Sequence, residues 1–253
     1  MLKKRLLISL TFKEGVLFRT KKFLPDYRYT KNFIDLWNAD EIILIDVSEQ
    51  GKKLKNDFLN VIKFFIENCH LPITVGGGIS TIEDARKIFD LGVEKIIMNS
   101  STYENPKITS DLISSFGSSS IIQSLDFEKT VENEYIIKIN NGKKQIKYRP
   151  DEYIDFILSL NIGEILINSI DNDGGLMGFD LNLINRFSKK IDVPIIVQGG
   201  GGNWNHFYEV LKLENISGAC TQNIYHFTEV SLNSAKKFLI SKNIKVRYDN
   251  YDN

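Results

Sequence analysis

The chain has 253 residues, 42% hydrophobic and 25% charged, with 32 basic and 32 acidic side chains. That composition fits an ordinary globular protein and excludes disordered, collagenous and disulfide-stapled classes. Zero net charge and a pI near 6.8 remove the electrostatic signature of a nucleic-acid binder. Cys69 and Cys220 stand apart with no motif around them, as free thiols of a reducing compartment do. The start, Met1-Leu-Lys-Lys-Arg-Leu-Leu-Ile-Ser-Leu10, has a basic head and a short apolar stretch. Before Lys13 that stretch is shorter than the roughly 7–15 residues of a signal peptide core. It reads as a buried first strand, and the protein is expected in the cytoplasm, with no membrane span.

Short apolar, β-branched runs recur at residues 5–10, 41–46, 72–75, 94–99, 120–126, 164–169, 194–197 and 217–222. Several are nearly continuous in Ile, Leu and Val, the pattern of strands buried on both faces. Between them lie helical patterns. In the clearest, Ser80-Thr-Ile-Glu83 has the form of a capping box, Ile82, Ala85, Ile88 and Phe89 share a face, and Gly92 supplies the stop. Eight strands, each followed by a helix, predict an α/β fold, a single (β/α)₈ TIM barrel over residues 1–253. An open doubly-wound sheet is the alternative, but no Gly-x-Gly-x-x-Gly follows the first strand. Tyr135–Ile139 and Gln145–Tyr148 flank Asn141-Gly142, the signal of a type I′ β-hairpin, placed here as an insertion after strand five.

The chain repeats at half length. Val75-Gly-Gly-Gly78 returns as Gln198-Gly-Gly-Gly201 and Glu41-Ile-Ile-Leu-Ile45 as Glu164-Ile-Leu-Ile-Asn168, both 123 residues on. Leu6–Leu10 and Ile121–Leu125 match more loosely, 115 apart. Two duplicated half-barrels explain all three.

Barrel function sits at the C-terminal strand ends. Glycines there let backbone N–H groups approach an anion. Gly77 and Gly78, with Asn99 and Ser100, form one candidate phosphate site; Gly199 and Gly200, with Gln222 and Asn223, form its repeat. Tight turns at strand ends are the plainer reading of either alone. Asp126 ends strand five as a candidate acid–base group, and its half-repeat counterpart is Thr11, which cannot act as a base near neutral pH. Asp46, Asp171 and Asp173 end or follow other strands and could equally be caps. His70, His206 and His226 lack ligand spacing, so neither a metal nor a cofactor is expected. Arg19, Lys21, Lys22, Arg28 and Lys31 form a basic segment after strand one, either a solvated loop or a lid over a phosphorylated substrate.

With these residues in place, the sequence resembles the cyclase subunit of imidazole glycerol phosphate synthase, over nearly the whole chain. Its signatures stand here as Thr74-Val-Gly-Gly-Gly-Ile79, Glu94-Lys95, Glu104-Asn-Pro106, Phe116-Gly-Ser118, Gly163-Glu-Ile-Leu166, Ser169-Ile-Asp171, Gly178-Phe-Asp180 and His226-Phe227. The resemblance implies a subunit that takes ammonia from a glutaminase partner through the barrel. The ammonia cleaves a bisphosphorylated aminoimidazole carboxamide ribonucleotide and closes an imidazole ring. It implies a charged gate of Arg5, Glu41, Lys95 and Glu164, which at strand starts can form a closed ring around the barrel floor. It implies substrate contacts from Arg19, Ser169, Asp173 and Gly174. The pattern departs at Thr11, where the family has an Asp, and at Gln198, Gln222 and Asn223, where it has small residues. In lacking that first Asp, and in Asn168-Ser-Ile-Asp171, the chain resembles a second branch, whose members work with a glutaminase and an amidotransferase-like third protein to amidate sugars of surface polysaccharides. Amidation of a nucleotide sugar is therefore the leading expectation, and imidazole ring closure the alternative.

Overall fold

The computed structural model describes residues 3–28, 39–48, 54–221 and 232–248. Gln222, Asn223, His226-Phe227 and Lys31 lie outside them. Eight parallel strands close into a barrel: β1 (Arg5–Lys13), β4 (Glu41–Asp46), β5 (Ile73–Gly76), β6 (Lys95–Met98), β7 (Ile121–Lys129), β10 (Glu164–Ser169), β11 (Ile195–Gln198) and β12 (Ile216–Thr221). Closure comes from pairing of β7 with β10 and of β12 with β1. Seven of the strands are followed by a helix before the next: α1 (Asn56–Asn68), α2 (Ile82–Phe89), α3 (Ser100–Glu104) with α4 (Pro106–Phe116), α5 (Pro150–Ser159), α6 (Leu181–Phe187), α7 (Trp204–Leu211) and α8 (Leu232–Ser241). The exception among the described residues is β1.

Alternation along the strands sorts side chains into two cores. Leu7, Ile43, Ile97, Ile122, Leu166, Ile196 and Cys220 point inward and fill the barrel, while Leu6, Ile8, Ile42, Leu44, Ile165 and Ile195 point outward to the helices. Both sets are fully or almost fully buried, which is why these strands read as unbroken apolar runs. The cap of α2 falls one residue later than the sequence suggests. Thr81 is its N-cap, and its hydroxyl accepts a hydrogen bond from Asp84 N at 3.0 Å, so Asp84, not Glu83, completes the first turn.

Each half begins with the same device. β1 runs on into an antiparallel pair with β2 (Val16–Lys21), which pairs with β3 (Leu24–Arg28). β7 runs on into an antiparallel pair with β8 (Tyr135–Ile139), which pairs with β9 (Lys144–Gln145). The basic segment after strand one is thus a hairpin, not a loop. A four-residue turn of residues 140–143 joins β8 to β9, longer than the two-residue type I′ turn read from Asn141-Gly142. Asn140, Asn141 and Gly142 all take positive φ, which Asn and Gly tolerate best.

Strand registers also correct the repeat. Glu41 and Glu164 keep their offset of 123, but Ile45 pairs with Gly76 while Asn168 pairs with Gln198. Gly76 therefore corresponds to Gln198, Gly77 to Gly199 and Gly78 to Gly200. A run of glycines is self-similar and slides by one in sequence; the ladder does not.

Candidate functional site

A cavity of about 500 Å³ opens at the C-terminal end of the barrel. Its wall includes Thr11 on β1, Gly76–Gly78 after β5, Asn99 to Ser101 after β6, Ser124 and Asp126 on β7, Asn168 on β10, Gln198 on β11 and Asp173. Asp126 lies at its base, 7% exposed. Its carboxylate accepts hydrogen bonds from Ser124 Oγ at 2.8 Å, Asn99 Nδ2 at 2.9 Å and Asn168 Nδ2 at 3.3 Å. Burial nevertheless pushes its pKa up to about 6; the three donors oppose the shift and nearby Asp173 adds to it. A carboxyl poised near neutrality in a cleft can take or give a proton at physiological pH.

The position related to Asp126 by the repeat holds Thr11. The ladder places them alike: Thr11 pairs with Ile45 on β4 and Asp126 with Asn168 on β10. Ser9 likewise matches Ser124. Ser124 donates to Asp126, whereas the buried Ser9 hydroxyl has no carboxylate to donate to and lies beside the Cys220 thiol.

The first glycine loop is held by close backbone approach. Gly77 has φ +103°, and a Cβ there would run into the Asp46 carbonyl oxygen. Gly199 repeats this at φ +97° against the carbonyl of Ser169, itself buried at the end of β10. The loops differ in what they face. Gly77 and Gly78 line the large cavity with Lys55 and Lys143, whereas Gly199, Gly200 and Gly174 line a separate pocket of about 20 Å³, large enough for little more than one water. The segment after β10 covers that second loop: Gly178 N donates to Gly200 O at 2.8 Å, and a Cβ on Gly202 would meet the Leu176 carbonyl. Among the described residues, the two phosphate sites expected from the repeat are therefore not alike. Ser100 is also engaged, accepting from Asn140 N at 2.9 Å.

The two hairpins meet over the mouth. Asp173 accepts from Phe23 N at 3.0 Å through its side chain and from Lys22 N at 3.1 Å through its carbonyl, pinning the β2–β3 turn. Burial raises the Asp173 pKa against the hydrogen bonds its carboxylate receives from Phe23 N and the Thr20 side chain. Phe23 packs against Gly142 of the opposite hairpin, and Asn141 Nδ2 donates to Val47 O at 3.0 Å. Arg19 lies on β2 outside the cavity wall; Thr20 and Phe23, from the same hairpin, are in it. Asp171 faces away, accepting from Lys129 N at 2.7 Å. Sequence reading missed Ser124, Thr20, Lys55 and Lys143. Ser124 was findable, two residues before Asp126 on the same strand face; the two lysines carried no signal.

At the opposite end, four charges line the barrel floor. Arg5 bridges Glu41 (Nη1 to Oε2, 2.9 Å) and Glu164 (through Nη2), and Lys95 Nζ reaches the other Glu164 oxygen at 2.8 Å. The second Glu41 oxygen accepts from Thr74 Oγ1 at 2.6 Å. The network is thus a chain from Thr74 to Lys95, not the closed ring the charges suggested. Burial opposes the charge on Arg5, but Glu164 and Glu41 outweigh it and raise the guanidinium pKa.

Among the described residues no group of three or more His, Cys, Asp and Glu is placed to hold a metal, and no helix is long and apolar enough to cross a membrane.

A closed parallel barrel of two like halves, with a buried carboxylate and a glycine loop at its C-terminal mouth, is a duplicated (β/α)₈ barrel of the kind that carries enzymes. Comparison with known proteins narrows this. The family described as "Histidine biosynthesis protein" matches residues 10–231. The chain is 33% identical over 252 residues to imidazole glycerol phosphate synthase subunit HisF of Natranaerobius thermophilus, covering 98% of this chain and all of that one. It is 31% identical to HisF of Hydrogenobaculum sp. over the same span and coverage. HisF of Prosthecochloris aestuarii is 34% identical over 209 residues, 83% of this chain and 82% of that one. The chain belongs to the histidine biosynthesis protein family, as a HisF-like member.

Proposed function

We propose that the chain is the HisF-type synthase subunit of a glutamine-dependent enzyme. Ammonia released by a glutaminase partner enters at the Arg5–Glu41–Glu164–Lys95 floor. It reacts in the cavity with a phosphorylated aminoimidazole carboxamide ribonucleotide to close an imidazole ring. The names of the relatives favour this over sugar amidation, reversing the order expected from the sequence. The observation that carries it is Asp126: buried, held by three donors, with its pKa near 6 in the cavity that the first glycine loop lines. In this reading Asp126 moves the proton that ring closure requires, and Gly77, Gly78, Lys55 and Lys143 hold a phosphate.

A second reading, amidation of a nucleotide sugar with a third amidotransferase-like protein, draws on two features. Thr11 stands where a second carboxylate would face Asp126, and the second glycine loop opens on too small a pocket for a phosphate. A steady-state assay of the purified chain with the ribonucleotide and saturating ammonium at high pH separates them. Ring closure predicts turnover that Asp126→Asn abolishes. No turnover, with a nucleotide sugar bound in place of the ribonucleotide, would remove ring closure and favour amidation.

A further inference from the structure

The repeat supplies an internal comparison at the last rung of the barrel. In the first half that rung holds Ile45 beside Gly76; in the second it holds Asn168 beside Gln198. An apolar side chain and bare backbone are thus replaced by two carboxamides. Both line the cavity, and Asn168 is only 6% exposed. Asn168 spends its Nδ2 on Asp126, and its Oδ1 and the Gln198 Oε1 are buried with no hydrogen-bond partner. Buried carbonyl oxygens are ordinarily satisfied, and leaving two adjacent ones without donors costs stability.

Their surroundings select what could satisfy them. Asp126 and Asp173 are the titratable groups on this side of the cavity, and no Lys or Arg of the described segments after β10 and β11 lines it. An anion here would face acceptors and carboxylates. A group that donates hydrogen bonds finds the two unpaired amide oxygens beside the carboxylates.

We propose that Asn168 and Gln198 determine specificity by accepting hydrogen bonds from an amide or amine N–H of the substrate, held beside Asp126. The proposal rests on the synthase reading for the presence of a reacting nitrogen in this cavity, but not for which ring or sugar bears it. A carboxamide ribonucleotide and an acetamido sugar both present such a donor.

The test is calorimetric titration of the full chain with two matched pairs, each pair sharing one phosphate. Aminoimidazole carboxamide ribonucleotide is compared with purine riboside 5′-monophosphate, whose base has no N–H, and N-acetylglucosamine 6-phosphate with 2-deoxyglucose 6-phosphate, which has no donor at C2. The donor-bearing member of a pair is expected to bind more tightly, on the order of tenfold. Gln198→Met, which keeps the shape and removes the acceptor, should erase most of that preference; Gln198→Glu, which keeps an acceptor oxygen, should preserve it. A preference confined to the sugar pair would uphold the role of Gln198 and remove the ring-closure reading. No preference in either pair, or a preference that Gln198→Met leaves intact or Gln198→Glu loses, would overturn the proposal.

Discussion

Thr11 and Asp126 occupy one position twice, each on the first strand of its half and each paired with the penultimate residue of the next, Ile45 and Asn168. Ser9 and Ser124 precede them on the same inward face. Only the second half completes the pair, with Ser124 donating to its carboxylate. The first half retains the serine hydroxyl without a carboxylate to receive it.

Thr11→Asp should therefore be accommodated, since Ser9 Oγ supplies the contact that Ser124 makes. Under the ring-closure reading it restores a second acid–base group, and turnover with ammonium should rise by about 10²–10⁴. Steady-state rates of the variant against the native chain measure this. An unchanged rate in a folded variant would show that Asp126 acts without a counterpart.

The pKa of Asp126, about 6 against an ordinary 3.8, links stability to pH. Between those values the folded chain binds more protons than the unfolded one, so stability falls as pH rises through the interval. The loss is complete above about 6 and amounts to about 3 kcal/mol. Asp126→Asn should flatten this slope in urea titrations at pH 4 to 8. If Asp126 serves as a base, catalysis should rise with pH through about 6, and the same variant should lose about 10²–10⁴ in rate.

On the floor, Arg5→Met leaves Glu41 and Glu164 buried without their shared cation, a change that typically costs about 3–5 kcal/mol. Lys95→Met should cost less, because the Lys95 side chain is 23% exposed and Glu164 keeps Arg5. Chemical denaturation midpoints rank the two. With a glutaminase partner present, either variant should impair glutamine-driven turnover more than ammonium-driven turnover.

Gly77→Ala forces a Cβ onto the Asp46 carbonyl at a φ that L-residues avoid, and Gly199→Ala does the same against Ser169. Both should destabilise, by about 1–3 kcal/mol. Only Gly77→Ala should also weaken binding of inorganic phosphate, since Gly77 alone of the two lines the large cavity. Thermal melts and phosphate titrations of both variants make the comparison.

The eight barrel strands were legible because burial on both faces gives each an apolar run: Ile42, Ile43 and Leu44 are all fully buried. Asp126 was legible because it ends such a run. The β2–β3 hairpin was not, because a register shift between Arg19 and Thr20 breaks its alternation and basic residues dominate it. Nor could sequence align the glycine loops, since only strand pairing shows that Gln198 stands where Gly76 does. The floor charges were legible as a set, but whether Lys95 closes a ring depends on side-chain reach, and Thr74 takes the oxygen it would have needed.

The apolar layer of Leu7, Ile43, Ile97, Ile122, Leu166, Ile196 and Cys220 lies between the charged floor and the cavity. It separates the two polar ends by distance, and the floor's own pairing of two cations with two carboxylates leaves little net charge to be felt at the mouth. Asp126 feels Asp173 in its own compartment, while neither Glu41 nor Glu164 figures among the charges that shift it. The two ends of the barrel can thus be retuned one at a time. Charge-conserving substitutions at the floor should therefore leave the proton affinity of Asp126 where it was, and a change of chemistry at the mouth need not disturb the floor.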